Sequence, residues 1–138
     1  MSKVTNTTAL SAAVETVNAD RLQPPLGHYS HVASYGGVAY ISGQLPIDES
    51  GTPLVDRSFA EQVERVLDNI DACLEQVELT RADLMLVTVY VTDIAQWAEF
   101  DRIYEAWTGD HRPARAVAAV KELHFGASVE VHAVAAAR

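Results

Sequence analysis

The chain has 138 residues, of which 49% are apolar, and a formal net charge of −9 from ten Lys and Arg against nineteen Asp and Glu. This length and composition predict one soluble globular domain. The charge argues against nucleic acid as a partner, because phosphate binding needs clustered Lys and Arg. No stretch approaches the roughly 18 consecutive apolar residues of a membrane span, and the N-terminus lacks an apolar signal core. We therefore expect a cytoplasmic protein with no membrane partner.

The first part of the chain is predicted to form an arm and three strands. Residues 1–12 are small and polar and predict a flexible arm, which leaves 13–138 as the single domain. Gly36-Gly37 separates two apolar runs, as in a tight hairpin. The predicted elements are a strand at 13–17, a proline- and glycine-rich loop at 23–30, a strand at 31–34, its return strand at 38–43 and a loop at 45–53.

The second part alternates helices with strands. Apolar residues at steps of three and four predict a helix from about Asp56 to Val77. The run 84–92 is almost continuously apolar and β-branched, which predicts a central strand covered on both faces. A second helix over 94–107 is capped by Asp93 and is expected to turn its aromatic residues Trp97, Phe100, Tyr104 and Trp107 inward. Arg115 begins the next strand, and 127–135 alternates as the last.

This order of elements predicts an α+β domain with two helices on one face of a mixed sheet. The opposite face of the sheet needs cover, and a chain of this length has no third layer to supply it. Self-association is therefore expected.

Most groups with catalytic potential have a simpler interpretation. The histidines lack metal-ligand spacing, and there is no CxxC pair. His28 and His31 fit local hydrogen bonds at a loop-to-strand junction. Cys73 falls in a helical pattern and fits a small buried residue. Ser42 lacks a nucleophile-elbow motif, so its hydroxyl is expected to bond backbone or ligand.

Two charged residues remain as candidates. Arg115 lies at the mouth of a strand, where it would either hold a ligand carboxylate or pair with a carboxylate on a helix. Glu130 interrupts an otherwise apolar strand, and solvent exposure would explain it. If an oligomer covers that face, the pKa of Glu130 rises and the carboxylate becomes competent for proton transfer.

The chain resembles the reactive intermediate deaminase family (RidA, also called YjgF-type). The resemblance runs from about Pro24 to Ala135 through motifs in the right order. These are Gly27-His28-Tyr29-Ser30, Ser42-Gly43-Gln44-Leu45-Pro46, Gln62 with Asn69-Ile70, Thr88 to Asp93, Tyr104-Glu105-Ala106-Trp107, Pro113-Ala114-Arg115 and the closing strand Val129 to Ala135.

The resemblance implies a chorismate-mutase-like six-stranded sheet in a homotrimer with a central barrel and pockets at the subunit interfaces. It also implies hydrolysis of enamine or imine intermediates, such as 2-aminoacrylate and its imine tautomer, to a 2-keto acid and ammonia without a cofactor. Arg115 would bind the substrate carboxylate and Glu130 would activate water. Tyr29 would be a third catalytic residue: with Ser42 and the Gly43 backbone it would line the pocket and help relay protons. Asp101 and Val117 are the remaining implied substrate-binding residues.

Several positions depart from the family pattern. Asp101 stands where the family has a pocket asparagine, and Val117 where many members have cysteine. Histidines replace the usual residues at 28, 31 and 132. A related pathway enamine, of the aminomuconate type, is therefore as good a substrate candidate as 2-aminoacrylate. A non-catalytic trimeric module that binds small carboxylates is the alternative, and ribonuclease activity fits least because of the acidic charge.

Overall fold

The computed structural model describes residues 13–137, so the arm predicted for 1–12 lies outside the described residues. Six strands and two helices follow in the predicted order. The strands are β1 (Glu15–Val17), β2 (Val32–Tyr35), β3 (Val38–Gln44), β4 (Leu84–Val91), β5 (Ala114–Ala119) and β6 (Val129–Ala136), and the helices are α1 (Phe59–Gln76) and α2 (Trp97–Thr108).

The strands form one mixed sheet in the order β1-β2-β3-β6-β4-β5. Only β4 and β5 pair in parallel, and α2 connects them, because parallel neighbours need a crossover. The predicted hairpin joins β2 to β3, where Gly36 and Gly37 have φ values of +58° and +83°. Two consecutive positive φ angles suit the right-handed twist of a tight hairpin and favour glycine at both positions.

The two helices cover one face of the sheet. Val129, Val131, Ala133 and Ala135 of β6 point toward the helices and are at most 1% exposed. The intervening side chains of β6 lie on the outer face and are half-buried. The alternation predicted for this strand is therefore confirmed, and the core lies between the helices and this face of the sheet.

The prediction that β4 is covered on both faces is wrong for the single chain. Val87, Val89 and Val91 are buried beneath the helices, whereas Met85 and Leu86 are 51% and 37% exposed. No second layer lies on the outer face among residues 13–137. The apolar character of β4 thus exceeds what one copy of the chain buries.

Helix α1 begins at Phe59, three residues later than predicted, because Ser58 caps it. The Ser58 hydroxyl accepts a hydrogen bond from the Glu61 amide at 3.1 Å, and the Glu61 carboxylate accepts one from the Ser58 amide at 3.3 Å. This reciprocal pair satisfies amides that the first helical turn leaves without partners. The predicted apolar stripe of α1 is buried in the core.

Helix α2 follows a turn of 3₁₀ helix at Ile94–Gln96, and Asp93 caps that turn rather than the α-helix. Phe100 and Tyr104 are buried as predicted, and Trp107 packs against the core. Trp97 is 44% exposed in the first turn of α2, so its predicted inward orientation is wrong. Neither helix in residues 13–137 is long and apolar enough to cross a membrane.

Candidate active site

Glu130 lies on the outer face of the sheet, opposite a local irregularity in β3. The pairing of β3 with β6 shifts register between Ile41 and Gln44, so Ser42 and Gly43 bulge from the ladder. The Glu130 carboxyl carbon lies about 3.0 Å from where a Cβ would stand on residue 43, and one carboxylate oxygen lies closer still. Gly43 therefore makes room for the carboxylate by having no side chain.

Burial dominates the electrostatics of Glu130. The loss of solvent around the carboxyl raises its pKa above the usual glutamate value, and the nearby His124 and His132 oppose that rise. A carboxylate with a raised pKa is a better proton acceptor than an exposed one. His132 also hydrogen-bonds the Tyr90 hydroxyl across the strand pair, with 3.2 Å between its Nε2 and the oxygen.

A cavity of about 380 Å³ lies beside this carboxylate. Tyr29, Gly43, His124 and Phe125 are among its lining residues, and the last two also line the adjoining depression that contains Glu130. Tyr29 is half-exposed, and its hydroxyl forms no hydrogen bond with Glu130 in residues 13–137. Tyr29 and Gly43 are thus brought into one cavity, next to Glu130.

Ser42 holds the loop that carries Tyr29. Its hydroxyl donates to the Ser30 carbonyl at 2.7 Å, and its amide donates to the His31 carbonyl at 2.9 Å. The sequence left backbone or ligand as partners for this hydroxyl, and in the structure the partner is backbone. Ser42 therefore positions the Tyr29 loop against β3.

Arg115 occupies a different cavity, at the β5 edge of the sheet. Its Nη1 donates to Asp101 Oδ1 of α2 at 2.6 Å, and its guanidinium lies 5.0 Å from the centre of the Tyr104 ring. The pair is half-buried, with 23% of the Arg115 side chain and 41% of the Asp101 side chain exposed. Of the two roles left open for Arg115, pairing with a helix carboxylate is the one seen in the single chain.

Arg115 and Glu130 point to opposite faces of the sheet. In the parallel register Arg115 lies beside Val87, which is buried beneath the helices. Glu130 lies opposite Tyr90, on the outer face. Neighbouring residues in register share a face, so the two side chains diverge. One chain does not bring its two charged candidates together.

The remaining sequence candidates are distributed over the fold. Val117 lies in register with Val89 and packs against the core from the helix side. His31 is buried, and its Nδ1 accepts a hydrogen bond from the Ala19 amide at 3.0 Å, which fits the local role expected of it. His28 is exposed in the Tyr29 loop. Cys73 is buried, and burial raises its pKa to about 12, so the thiol stays protonated and unreactive.

Two buried amide side chains frame the site, and the sequence analysis named them only as parts of a family motif, without a structural role. The Gln62 side-chain oxygen accepts from the Ser128 amide at 2.9 Å and so holds the chain entering β6. The Asn69 amide donates to the Leu45 and Ile47 carbonyls, at 3.1 and 3.0 Å, and holds the loop that follows Gly43. Both contacts could have been predicted, because each residue is a polar side chain on the otherwise apolar stripe of α1, and a buried amide needs hydrogen-bond partners.

Two further features of the site were not predicted: the surroundings of the Tyr104 hydroxyl and the backbone conformation of the turn before β6. The Tyr104 hydroxyl is buried beside Arg115 and has no hydrogen-bond partner among the described residues. Phe125 is exposed with a φ of +64°, in the left-handed region that bulky residues rarely adopt. No pattern in the sequence predicts this backbone conformation before β6. Over residues 13–137, no cluster of three or more His, Cys, Asp or Glu has the makings of a metal site.

Comparison with known proteins agrees with this fold. The family model described as endoribonuclease L-PSP matches residues 20–137. A RutC family protein from Aquifex aeolicus is 41% identical over 113 residues, which are 80% of this chain and 90% of that protein. The chain belongs to the endoribonuclease L-PSP family, which includes the YjgF, RidA and RutC proteins. The resemblance stated from the sequence motifs is thereby confirmed.

Solved members of the YjgF/RidA family share the architecture throughout. YyfA of the conserved Rid protein family from Yersinia pestis superimposes with a TM-score of 0.86 at 31% identity, covering 91% of this chain and all of that one. The YjgF gene product of E. coli superimposes with a TM-score of 0.83 at 28% identity, covering 90% and 99%. The predicted mixed sheet of six strands with two helices is the architecture of these family members.

Proposed function

We propose that the protein hydrolyses reactive enamine or imine intermediates to a 2-keto acid and ammonia, without a cofactor. The observation that carries this proposal is Glu130, a partly buried carboxylate with a raised pKa that lies over Gly43 beside a ligand-sized cavity. Membership of the RidA family supports this chemistry, since the family resemblance implies it.

The reaction needs one proton acceptor and one anion-binding group. Glu130 takes a proton from water while the water oxygen bonds to the imine carbon, and it then returns that proton to the nitrogen. In the resulting carbinolamine, Glu130 takes the hydroxyl proton and passes it to the nitrogen as the carbon–nitrogen bond breaks, so that ammonia leaves, the carbonyl forms, and imine and water become keto acid and ammonia. Arg115 binds the carboxylate of the substrate and fixes the carbon for attack. Tyr29 lines the cavity and assists proton transfer.

The opposite directions of Arg115 and Glu130 support a site shared between chains. Within one chain the two side chains leave the sheet on different faces. The outer face also retains exposed apolar residues, such as Tyr40 at 56% exposure. We therefore propose a homotrimer that packs these faces into a central barrel, with Arg115 of one copy beside Glu130 of the next.

An imine assay tests the proposal directly. An amino-acid oxidase generates the imine in situ, and keto-acid release is followed with and without the protein. The wild type is expected to accelerate release, whereas Arg115→Ala and Glu130→Gln are expected to reduce the acceleration strongly. Trp97→Ala, an exposed position on α2, serves as the control variant. Equal rates for wild type and Arg115→Ala would remove the basis for the proposal.

Carboxylate binding without turnover is the second candidate function. The separation of Arg115 from Glu130 in one chain favours it, because an arginine without a proton acceptor nearby binds a carboxylate but does not hydrolyse an imine. Tight keto-acid binding by calorimetry beside absent deamination would support this function. RNA cleavage fits poorly with a net charge of −9, and only cleavage by highly purified protein that survives both Arg115→Ala and Glu130→Ala would restore it.

A further inference from the structure

The cavity beside Glu130 has a mostly apolar wall. Its volume of about 380 Å³ lies within the range of roughly 300–1,000 Å³ that pockets for small organic ligands have. The methyl group of a three-carbon imino acid would leave most of this space to water. The apolar side chains of the wall are Leu22, Pro25, Leu26, Leu45, Ile47 and Phe125.

The polar side chains on this wall are largely engaged with the protein itself. Asn69 donates to the Leu45 and Ile47 carbonyls. Asp48 Oδ1 accepts from the amides of Ser50 and Thr52, at 3.0 and 2.9 Å. Gln44 donates from Nε2 to the Ser42 carbonyl at 3.1 Å. Polar groups open to a ligand are therefore concentrated toward Glu130, where Tyr29 and His124 stand.

Phe125 joins the apolar wall to the Glu130 depression. It lines both, is 51% exposed, and adopts a φ of +64°. Because half of the Phe125 ring is exposed, its burial contributes little to the free energy of folding. The left-handed backbone conformation is unfavourable for a bulky residue. Within residues 13–137 the Phe125 ring lies 6.3 Å from the His124 ring, centroid to centroid, and half of it stays exposed, so an apolar group beside Glu130 would find an open aromatic surface.

We propose that this cavity binds the side chain of the substrate, and that the protein acts on 2-imino acids with a branched or aromatic side chain. This inference rests on the proposed deaminase function and names its substrate class. The reacting carbon of the substrate lies at Glu130. The apolar side chain of the substrate extends past Phe125 into the cavity, where Leu26 and Leu45 are part of the wall. Phe125 is then a specificity-determining residue.

Keto-acid binding tests the cavity without relying on catalysis. Calorimetry compares pyruvate, 4-methyl-2-oxopentanoate and phenylpyruvate, which differ in the side chain alone. A buried methylene adds about fourfold in affinity, so we expect the two larger acids to bind at least ~10-fold tighter than pyruvate. Phe125→Ala is expected to weaken their binding about fivefold or more and to change pyruvate binding less than about twofold.

Two further variants control for folding. Leu26→Arg places a charge on the same wall at a position that is 71% exposed, so the core is untouched, and it is expected to weaken the larger acids selectively. Trp97→Ala removes an exposed aromatic ring outside the cavity and is expected to change none of the affinities. Pyruvate binding as tight as phenylpyruvate, or no keto-acid binding at all, would overturn the assignment.

Turnover separates this inference from the function on which it rests. Imines generated from leucine, phenylalanine and alanine are compared by kcat/KM in the same oxidase assay. Size-dependent binding without any turnover would overturn deamination and leave the cavity assignment standing. Equal kcat/KM for all three imines would overturn the assignment and leave deamination standing.

Discussion

Glu130 and Arg115 lie in different electrostatic surroundings: the first has lost solvent, and the second has an ion-pair partner. Glu130 is partly desolvated, two histidines oppose the rise of its pKa, and its carboxylate fills the space beside Gly43. Arg115 is neutralised within its own chain by Asp101 and lies against the Tyr104 ring. The first arrangement favours proton transfer. The second holds the Arg115 guanidinium in a fixed orientation, which would suit the binding of a ligand carboxylate.

The Arg115–Asp101 pair is suited to exchange. Both side chains are partly exposed, and exposed ion pairs contribute only about 0–1 kcal/mol. In the proposed function, a substrate carboxylate would therefore displace the Asp101 contact at little cost. Tyr104 would keep the guanidinium in place during this proposed exchange, because the ring contact does not depend on Asp101.

The largest expected effect is on kcat, and it distinguishes the roles of Glu130 and Arg115. Glu130→Gln removes the proton acceptor and keeps the shape, so we expect kcat to fall about 100- to 10,000-fold with little change in KM. Arg115→Lys keeps a charge but loses the forked donor geometry, so we expect KM to rise more than kcat falls. Steady-state kinetics on an imine generated in situ measures both. The opposite pattern would exchange the roles of the two residues.

A methyl group at position 43 probes the Glu130 side alone. Gly43→Ala would bring a Cβ to about 3.0 Å from the Glu130 carboxyl carbon, so the carboxylate must move. We expect about a tenfold loss of kcat, since small misplacements of a reacting group are costly. The thermal midpoint should change little, because the displaced group is the end of a side chain. Unchanged kcat in the folded variant would place the reacting carboxylate elsewhere.

Asp101 tests the Arg115 side with a smaller effect. Asp101→Asn keeps the size of the side chain and removes its charge, so Arg115 is no longer neutralised within its own chain. We expect keto-acid ligands to bind about fivefold tighter, as suits the loss of one exposed ion pair. Glu105→Gln removes a charge from the same cavity without a contact to Arg115 and is the matched control. Weaker binding by Asp101→Asn would mean that Asp101 itself contacts the ligand.

The smallest expected effect is on stability. Burial raises the pKa of Glu130 in the folded state, so the folded protein holds that proton to higher pH than the unfolded chain. Stability from this group is present below the unfolded glutamate pKa and is lost as pH rises through the folded one. Glu130→Gln should therefore melt higher than wild type at pH 7 and show a smaller difference near pH 4. A difference that grows toward low pH would contradict this sign.

The fold follows from local patterns that one chain satisfies by itself. The alternation of β6, the stripe of α1 and the Gly36-Gly37 hairpin each depend on neighbours within a few residues or on one buried face. The burial of β4 was misjudged because its apolar outer face exceeds what the single chain covers. An apolar run such as β4 predicts that both faces of the strand are covered, but the run alone does not distinguish cover by the same chain from cover by a second copy.

The candidate site was less accessible to the same reasoning. Arg115 and Glu130 were selected by residue type and by motif, but their opposite faces depend on the register between β4, β5 and β6. The left-handed turn at Phe125 and the bulge at Gly43 are local departures from regular backbone geometry. Such features set the geometry of a site, and no periodicity in the sequence encodes them.

The most direct test of the central claim mixes two inactive proteins. Arg115→Ala and Glu130→Gln chains, one of them tagged, are exchanged by mild denaturation and dilution, and mixed oligomers are purified. If a site takes Arg115 from one copy and Glu130 from the next, each purified mixed trimer keeps one of its three sites intact and restores about a third of wild-type activity. If each site lies within one chain, every chain carries a defect and the mixture stays inactive, which would contradict the account.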